Sequence, residues 1–489
     1  MRILFIASEG LPYSKTGGLA DVIGALPKAL HELGHEVLVL LPKYRGTRAS
    51  TTAAPSVTVP LGTTLRFPAL VAGEALDGVR YFFVDDPGFF DREQLYGDKA
   101  GDYLDNPERF GEFSRAAIEF AKQVWTPDVL HCHDWQTALV PTLLRTLYAP
   151  DPGLRSLPVV FTIHNLGYQG LFPRTVMDRL GLPAGLFDVS ALEYYGRVNF
   201  LKGGLVFSDY LTTVSQRYAQ EIQTAEYGMG LEGVIRGRSD RLVGILNGVD
   251  YAAWNPESDR LIKANYSAKN LEGKRACKKD LLEAFNLPSS NLEVPLVGIV
   301  SRFVDQKGFD LIAEVADELL KENLAIVALG TGDKVYEQLF QLLSHRNRTK
   351  VAVKIAYDNT LAHKIEAGAD MFLMPSRYEP CGLNQIYSLK YGTVPVVRAT
   401  GGLDDTITPF DRKKGEGTGF KFERYKGDAL LACVREAVDA FSDAKAWRKL
   451  QGNGMAQDFS WRRSAAAYVS VYERAQRSRI PRAIASSNS

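Results

Sequence analysis

The sequence lacks several features that would point to particular classes of protein. It has four cysteines among 489 residues, and no two of them form a CxxC pair. We therefore expect neither a disulfide framework nor a cysteine-based zinc site, and the composition favours a reducing, cytoplasmic setting. No run approaches the roughly 20 apolar residues that cross a bilayer. The first apolar run follows Met1 directly, so no secretory signal is expected.

An excess of charge of one sign is also lacking. Lys and Arg together number 58 and Asp and Glu number 57, which gives a net charge of +1. Such a chain has no overall field that attracts nucleic acid or an anionic membrane, so any phosphate must be bound by local groups. The length alone suggests about two to four domains.

What is present is an alternation of short apolar runs with amphipathic helical stretches. In the first half the runs are 3–7, 36–41, 128–132 and 159–163, and a helix is predicted over 18–33. The pattern restarts after residue 255 with runs 295–300, 324–329, 351–355, 371–374 and 393–397, and with a helix over 308–320. This alternation predicts parallel βαβ units. We expect an α/β protein with two doubly wound, Rossmann-like domains that face a central cleft, with ligands beyond the carboxyl ends of strands.

The first candidate site is the glycine pair in Lys15-Thr-Gly-Gly-Leu19, between a strand and a helix. Adjacent glycines and a helix N-terminus suit a pyrophosphate, although a loop that needs glycine for its turn is the alternative. An NAD-type site is disfavoured, because the glycines are not spaced as G-x-G-x-x-G and no carboxylate ends the second strand.

Histidines mark two further strand ends. In His131-Cys-His-Asp-Trp135 two imidazoles share one strand face, which zinc could use. A sugar site with Trp135 as an apolar platform is the preferred interpretation, with His131 as a satisfied buried histidine. In Thr162-Ile-His-Asn-Leu-Gly167 a polar pair interrupts an apolar run, which is costly unless the pair has a partner such as a ligand hydroxyl. A core histidine is an equal alternative for His164.

The second half carries three motifs. In Ser301-Arg-Phe-Val-Asp-Gln-Lys-Gly308 an arginine and a lysine could both face one pyrophosphate, or be two solvated surface cations. In Pro375-Ser-Arg-Tyr-Glu-Pro-Cys-Gly-Leu383 a glutamate precedes a helix that we predict to begin at Cys381 and Gly382, and a nucleophilic cysteine is disfavoured. Thr400-Gly-Gly-Leu-Asp-Asp405 repeats the Gly-Gly-Leu of the first half. Its aspartates are interpreted as a cap or a solvated turn rather than a metal site.

Together these motifs resemble those of bacterial glycogen synthases and plant starch synthases, from Met1 to about residue 474. The most specific are Lys15-Thr-Gly-Gly-Leu-Ala-Asp21 and Glu379-Pro-Cys-Gly-Leu383 followed by Lys390-Tyr-Gly392. Tyr168-Gln-Gly170, Asn199-Phe-Leu-Lys202, Tyr227-Gly-Met229 and Leu246-Asn-Gly-Val-Asp250 fall in the family's order. One departure from many retaining relatives is Tyr387, at the position of their second glutamate, as in the synthase branch.

The resemblance implies a GT-B fold with three parts. These are an acceptor-side domain (1–250), a nucleotide-sugar domain (251–458) and a helix crossing back to the first domain (459–476). The polar residues 477–489 lie outside the resemblance and are expected to form a disordered tail. The implied reaction is the retaining transfer of glucose from ADP-glucose to the nonreducing-end 4-hydroxyl of an α-1,4-glucan in glycogen biosynthesis, without a metal or other cofactor. No nucleic acid or membrane partner is expected. The alternatives are a UDP-glucose-dependent or small-acceptor glucosyltransferase of the same fold and a silent glucan-binding scaffold.

The resemblance also implies roles for single residues. Arg302 and Lys307 would neutralise the departing diphosphate, and Glu379 would position the donor glucose. His164 would hold the glucosyl unit, with its backbone carbonyl near the anomeric carbon, and Tyr357 would stack on adenine. Further expected contacts to the donor come from Lys15, Gly17, Gly18, Asp21, Tyr96, Thr400, Gly401 and Gly402. Further expected contacts to sugar come from Asp134, Trp135, Asn165, Asn247, Cys381 and Gly382.

Overall fold

A computed structural model describes residues 1–49, 55–99 and 101–479. The chain divides into two compact units. The first comprises Met1–Val214, Ala219–Gly248 and the C-terminal segment from residue 461, and the second comprises Ser215–Tyr218 and Val249–Ser460. The second unit is therefore an insertion in the first.

The first unit is built around an eight-stranded sheet in the order β15-β14-β10-β9-β1-β2-β6-β5, in which every neighbouring pair is parallel except β5 and β6. Its strands are β1 (Arg2–Ile6), β2 (Glu36–Pro42), β3 (Val59–Leu61), β4 (Thr64–Arg66), β5 (Ala69–Ala72), β6 (Arg80–Asp85), β7 (Gly97–Asp98), β8 (Gly101–Asp102), β9 (Val129–His133), β10 (Val159–Ile163), β11 (Leu171–Pro173), β12 (Glu193–Tyr194), β13 (Arg197–Asn199), β14 (Tyr210–Thr213) and β15 (Leu242–Gly244). The accompanying helices are α1 (Gly18–Glu32), α2 (Pro87–Phe90), α3 (Asn106–Gln123), α4 (Asp134–Thr137), α5 (Leu139–Arg145), α6 (Pro152–Arg155), α7 (Val176–Arg179), α8 (Phe200–Phe207), α9 (Gln216–Glu221, divided between the units) and α10 (Glu232–Arg236).

The second unit is built around a six-stranded, wholly parallel sheet in the order β18-β17-β16-β19-β20-β21. Its strands are β16 (Leu296–Val300), β17 (Ala325–Gly330), β18 (Val351–Ile355), β19 (Met371–Met374), β20 (Val394–Arg398) and β21 (Phe420–Phe422). Its helices are α11 (Glu272–Ala284), α12 (Phe309–Glu314), α13 (Ala316–Leu319), α14 (Lys334–Arg346), α15 (Asn359–Gly368), α16 (Asn384–Lys390), α17 (Gly401–Thr406), α18 (Gly427–Phe441) and α19 (Ala444–Met455).

The last helix, α20 (Trp461–Arg479), belongs to the first unit. Its buried side chains include Trp461, Ala465, Tyr468 and Tyr472, and they join the same apolar cluster as β1, β2 and α1. The helix extends three residues into the predicted tail, and residues 480–489 lie outside the described residues.

Both sheets are covered on two faces, which explains the near-continuous apolar runs of their strands. In β16, Val297 and Ile299 pack into one apolar cluster while Leu296 packs into the other. Within the described residues, no helix is long and apolar enough to cross a membrane. The four cysteines are buried free thiols.

Two local predictions are wrong. The helix predicted over 308–320 is interrupted at Val315, where the chain packs closely against Gly427. The helix predicted to begin at Cys381 and Gly382 begins at Asn384 instead. Gly382 has a left-handed backbone with φ of 70°, which an α-helix cannot contain.

A buried ion pair ties α11 to the central strand of the second unit. The Asp370 carboxylate accepts from Lys278 Nζ at 2.6 Å and from the Leu296 amide at 2.8 Å, while Lys278 also donates to the Val294 carbonyl at 2.7 Å. Since removing one partner leaves a buried charge uncompensated, we expect Asp370→Ala to lower the free energy of unfolding by about 3–5 kcal/mol.

Urea unfolding followed by tryptophan fluorescence measures this loss. Asp428→Ala is the matched control, because the Asp428–Arg424 pair is about two-thirds exposed and its loss should cost less than about 0.5 kcal/mol. Equal losses in both variants would contradict the assignment of Asp370 as a structural anchor.

Candidate active site

Each sheet has one point where the chain leaves two neighbouring strands in opposite directions. In the first unit it lies between β1 and β9, and in the second between β16 and β19. Ligands of doubly wound sheets bind beyond the carboxyl ends of strands at such a switch point. Four of the six sequence motifs follow the strands at these points, and the other two follow the adjacent strands β10 and β20.

The loop that follows β1 is held by a buried glutamate, Glu9. Its carboxylate accepts from the Thr16 hydroxyl at 2.8 Å and from the Thr16 and Gly17 amides. Glu9 is 3% exposed, and burial raises the pKa of its carboxyl to about 7 although these hydrogen bonds lower it. The amides of Thr16 and Gly17 are thus already bonded, whereas the described residues leave open space beside Gly18.

Some of the residues predicted to contact the sugar-nucleotide donor lie together around this loop. Lys15 Nζ donates to Asp21 Oδ1 at 2.6 Å, so the aspartate orients the lysine. Burial raises the pKa of Asp21, and the lysine lowers it. The hydroxyl groups of Tyr96 and Ser8 are 2.7 Å apart. Glu9 was missed by the sequence reasoning, although a carboxylate directly after a buried strand was a usable signal.

Asp134 organises the turn after β10. It has a left-handed backbone with φ of 55°, and its Oδ1 accepts from the His164 amide at 2.8 Å. The Asn165 amide also donates to this carboxylate, and burial raises its pKa to about 7. Asp134 therefore fixes the backbone that carries His164 and Asn165.

Two predicted sugar contacts differ in availability. Asn247 is 5% exposed, and its buried Oδ1 has no hydrogen-bond partner among the described residues. An unsatisfied buried oxygen is costly, so it is a candidate for binding a ligand. Asn165 Oδ1 accepts from the Gly167 amide at 2.9 Å and serves the turn.

The ring of Trp135 packs inside the protein. It is 8% exposed and makes edge contacts with Phe110 and Phe172 at centroid distances of 5.1 and 5.5 Å. A side chain on Gly170 would collide with the same ring. This packing gives the predicted role of a sugar platform no support. His131 is buried and hydrogen-bonded, which confirms its interpretation as a satisfied core histidine.

The switch point of the second unit holds a cavity of about 150 Å³. The predicted residues that line it are Arg302, Lys307, Glu379 and Gly382. Lys307 Nζ donates to Glu379 Oε2 at 2.6 Å, and the Ser376 hydroxyl donates to the same oxygen at 3.0 Å. Ser376, which sequence reasoning passed over, therefore helps to orient Glu379.

Two glycines allow backbone segments to meet at this cavity. A Cβ on Gly401 would lie 1.9 Å from the Glu379 carbonyl oxygen, and a Cβ on Gly308 would lie 2.0 Å from that of Pro375. Both residues have left-handed backbones, with φ of 44° and 73°. Thr400 precedes α17, and the Gly402 amide donates to the Glu379 carbonyl at 3.1 Å. Side chains at these glycines would push the loop carrying Glu379 away.

The remaining predicted contacts lie around this site. Tyr357 follows β18 at the same edge of the sheet, and its side chain is exposed, at 83%. Cys381 is buried beside Gly382. Across residues 1–49, 55–99 and 101–479, no three His, Cys, Asp or Glu side chains are grouped to hold a metal ion.

The buried carboxyl of Glu9 makes stability depend on pH. A pKa raised from 4.5 to about 7 means that its stabilising contribution is present below 4.5 and is lost as pH rises through about 7. Relative to Glu9→Gln, the wild type should lose about 3 kcal/mol of unfolding free energy between about pH 5 and about pH 8. Urea unfolding at both pH values measures it. Glu257→Gln, at an exposed site, is the control, and its unfolding free energy relative to wild type should not change with pH. If the difference in unfolding free energy between wild type and Glu9→Gln were the same at both pH values, the prediction would be contradicted.

Comparison with known proteins gives matches over nearly the whole chain. Residues 2–237 match the family described as "Starch synthase catalytic domain", and residues 283–450 match "Glycosyl transferases group 1". Glycogen synthase of Koribacter versatilis is 59% identical, over 98% of this chain and 99% of its own. Glycogen synthase 2 of Geobacter sulfurreducens is 44% identical, over 97% and 99%.

Solved structures agree. The catalytic domain of starch synthase IV from Arabidopsis thaliana, bound to ADP and acarbose, has a TM-score of 0.88 and 36% identity, covering 97% of this chain and 99% of that one. Sucrose-phosphate synthase from Thermosynechococcus elongatus, at TM-score 0.60 and 18% identity over 97% and 98%, shows the fold alone. With these relatives and this site, the chain belongs to the glycogen and starch synthase family of GT-B glycosyltransferases.

Proposed function

We propose that this glycosyltransferase moves glucose from ADP-glucose to the nonreducing-end 4-hydroxyl of an α-1,4-glucan, with retention of the anomeric configuration and release of ADP. The observation that carries the proposal is the cavity at the second switch point, which Arg302, Lys307 and Glu379 line and in which Lys307 donates to Glu379. Binding of ADP and acarbose by the Arabidopsis relative supports an adenine nucleotide and a glucan as substrates.

The two cations have a defined task in this reaction. When the bond to the nucleotide breaks, negative charge develops on the diphosphate and positive charge on the sugar. Preorganised donors aimed at such charge typically contribute about 2.7–4 kcal/mol each. Lys307 is held by Glu379 and so needs little reorganisation when the charge forms. We propose that these side chains supply the stabilisation without a metal ion.

Retention fits the acidic groups around the cavity. A retaining glycosidase uses two carboxyl groups about 5 Å apart. Among the described residues that line this cavity, Glu379 is the single carboxylate, and it is engaged by Lys307 and Ser376. This arrangement favours same-face substitution, in which the leaving phosphate helps to deprotonate the acceptor hydroxyl. Trapping a covalent glucosyl adduct on the wild-type enzyme would contradict it.

Lys307→Ala tests the leaving-group role. We expect a fall in kcat of about 100- to 1000-fold, because one preorganised donor to the developing charge is lost. Incorporation of glucose into glycogen is measured with ADP-glucose and UDP-glucose in parallel, with and without a chelator. The exposed Lys445 provides the control, Lys445→Ala.

Each outcome of that assay bears on the proposal. Transfer from ADP-glucose that continues in the presence of a chelator supports ADP-glucose as the donor and a reaction without a metal ion. Loss of that transfer in Lys307→Ala supports the leaving-group role of Lys307. Transfer from UDP-glucose alone overturns the donor assignment. Transfer from neither donor favours a different acceptor or a silent glucan-binding scaffold, although Lys15, Arg302, Lys307 and Glu379 are all present.

Tyr357 is the proposed stacking partner of adenine. Its ring is exposed and follows β18 at the carboxyl end of the sheet, and stacking on a base is worth about 1–3 kcal/mol. Tyr357→Ala should therefore raise the KM for ADP-glucose about 5- to 150-fold with little change in kcat. Tyr357→Phe keeps the ring and is the control. An unchanged KM in both variants would remove Tyr357 from the donor site.

A further inference from the structure

Three histidines meet at the carboxyl ends of β9 and β10. His131 and His133 are fully buried, and their ring centroids lie 4.0 Å apart. Both nitrogens of His131 have partners, the Thr162 hydroxyl at 2.7 Å and the Tyr472 hydroxyl at 2.8 Å. His131 therefore has no nitrogen left to form a hydrogen bond with His133, whose partner is a residue that follows the next strand, β10.

His133 and His164 form a pair with one shared hydrogen bond. His133 Nδ1 lies 3.0 Å from His164 Nε2. The other nitrogen, His133 Nε2, is buried and has no partner among the described residues. Phe5 stacks on the His133 ring at a centroid distance of 5.4 Å, which fixes its plane. The geometry leaves one proton to be placed between the two rings.

Burial favours the neutral form of both rings. Burial lowers the pKa of His164 to about 3, and burial and the neighbouring histidines hold the pKa of His133 well below its ordinary value. A neutral imidazole has one N–H and one bare nitrogen. If His164 Nε2 carried the shared proton, His133 would have to bury an unpaired N–H. If His133 Nδ1 carries it, His133 buries only a bare nitrogen.

The second arrangement is favoured, because buried N–H groups without partners are rarer than under-satisfied acceptors. We propose that His133 is a positioning residue that donates to His164 Nε2 and so fixes the proton of His164 on Nδ1. This proposal rests on the proposed function, together with the role that the family resemblance implies for His164, which is to hold the transferred glucosyl unit.

The tautomer decides what His164 offers to a sugar. With its proton on Nδ1, the ring presents a hydrogen-bond donor to a hydroxyl oxygen and cannot act there as a base. That agrees with same-face substitution, in which the leaving phosphate receives the proton of the acceptor. Asp134 accepts a hydrogen bond from the backbone amide of His164, and His133 contacts the ring of His164. Two separate groups therefore fix the position of the His164 side chain.

The tautomer is measured directly by two-bond ¹⁵N–¹H correlation spectra of wild-type protein labelled at its seven histidines. His164→Gln assigns the signals by their disappearance. A protonated Nδ1 and a bare Nε2 on His164 are expected. A protonated Nε2, or an imidazolium at neutral pH, would overturn the proposal. The spectrum needs no activity, so failure of glucose transfer would count against the proposed function alone.

A matched pair of variants tests the consequence for catalysis. His133→Asn places an amide N–H near the position of Nδ1, whereas His133→Leu has almost the same shape and no donor. We expect His133→Asn to keep kcat/KM within about threefold of wild type. His133→Leu should lower it about tenfold or more, since His164 loses its hydrogen bond and its single tautomer. Equal losses in both variants, with equal urea midpoints, would show a purely structural role and refute the proposal.

Discussion

The site of each unit depends on the arrangement of its parallel sheet. A parallel strand must be followed by a crossover, and at one point in each sheet two adjacent crossovers depart in opposite directions. In the two units that point lies between β1 and β9 and between β16 and β19. Loops can enter there without disturbing the apolar clusters on either face. Stability and chemistry are thus separated along the length of the strands.

Buried carboxylates then give these loops their shape. Glu9 binds the amides that begin the glycine loop, and Asp134 binds the amides of the next turn. In the second unit Glu379 binds a lysine and a hydroxyl. Each carboxylate is satisfied by groups of its own unit before a ligand arrives. Dipoles fixed in this way do not have to reorient when charge develops, which is the main electrostatic advantage of an enzyme over water.

The sequence was a good guide to the strands and to the positions of the motifs. The apolar runs 159–163, 351–355 and 371–374 coincide with β10, β18 and β19. The positions of Arg302, Lys307 and Glu379 after parallel strands predicted that they share one edge of the sheet, and all three line one cavity; the hydrogen bond between Lys307 and Glu379 was not predicted. These features depend on periodicity and parallel topology, which are local properties of the chain.

Features that depend on three-dimensional contacts could not be predicted from the sequence. The helix α11 was hidden by a charged segment, because its buried face combines the apolar Cys277, Leu281 and Leu282 with the lysines Lys274 and Lys278. Trp135 has polar neighbours in the sequence, but in the folded protein its ring contacts Phe110 and Phe172. Its packing could therefore not be inferred from its motif. The hydrogen bond between His133 and His164 joins residues 31 positions apart. Neither residue type nor spacing indicates which ring carries the proton.

The position of α20 also constrains how the molecule can be made. Its buried face, which includes Trp461, Tyr468 and Tyr472, completes the apolar cluster around β1 and β2. During translation the ribosome releases every residue of the second unit before this helix emerges. The second unit can therefore fold first, although it lies later in the sequence than most of the first. The first unit can complete its core only after α20 has been synthesised, which is later than every residue of the second unit.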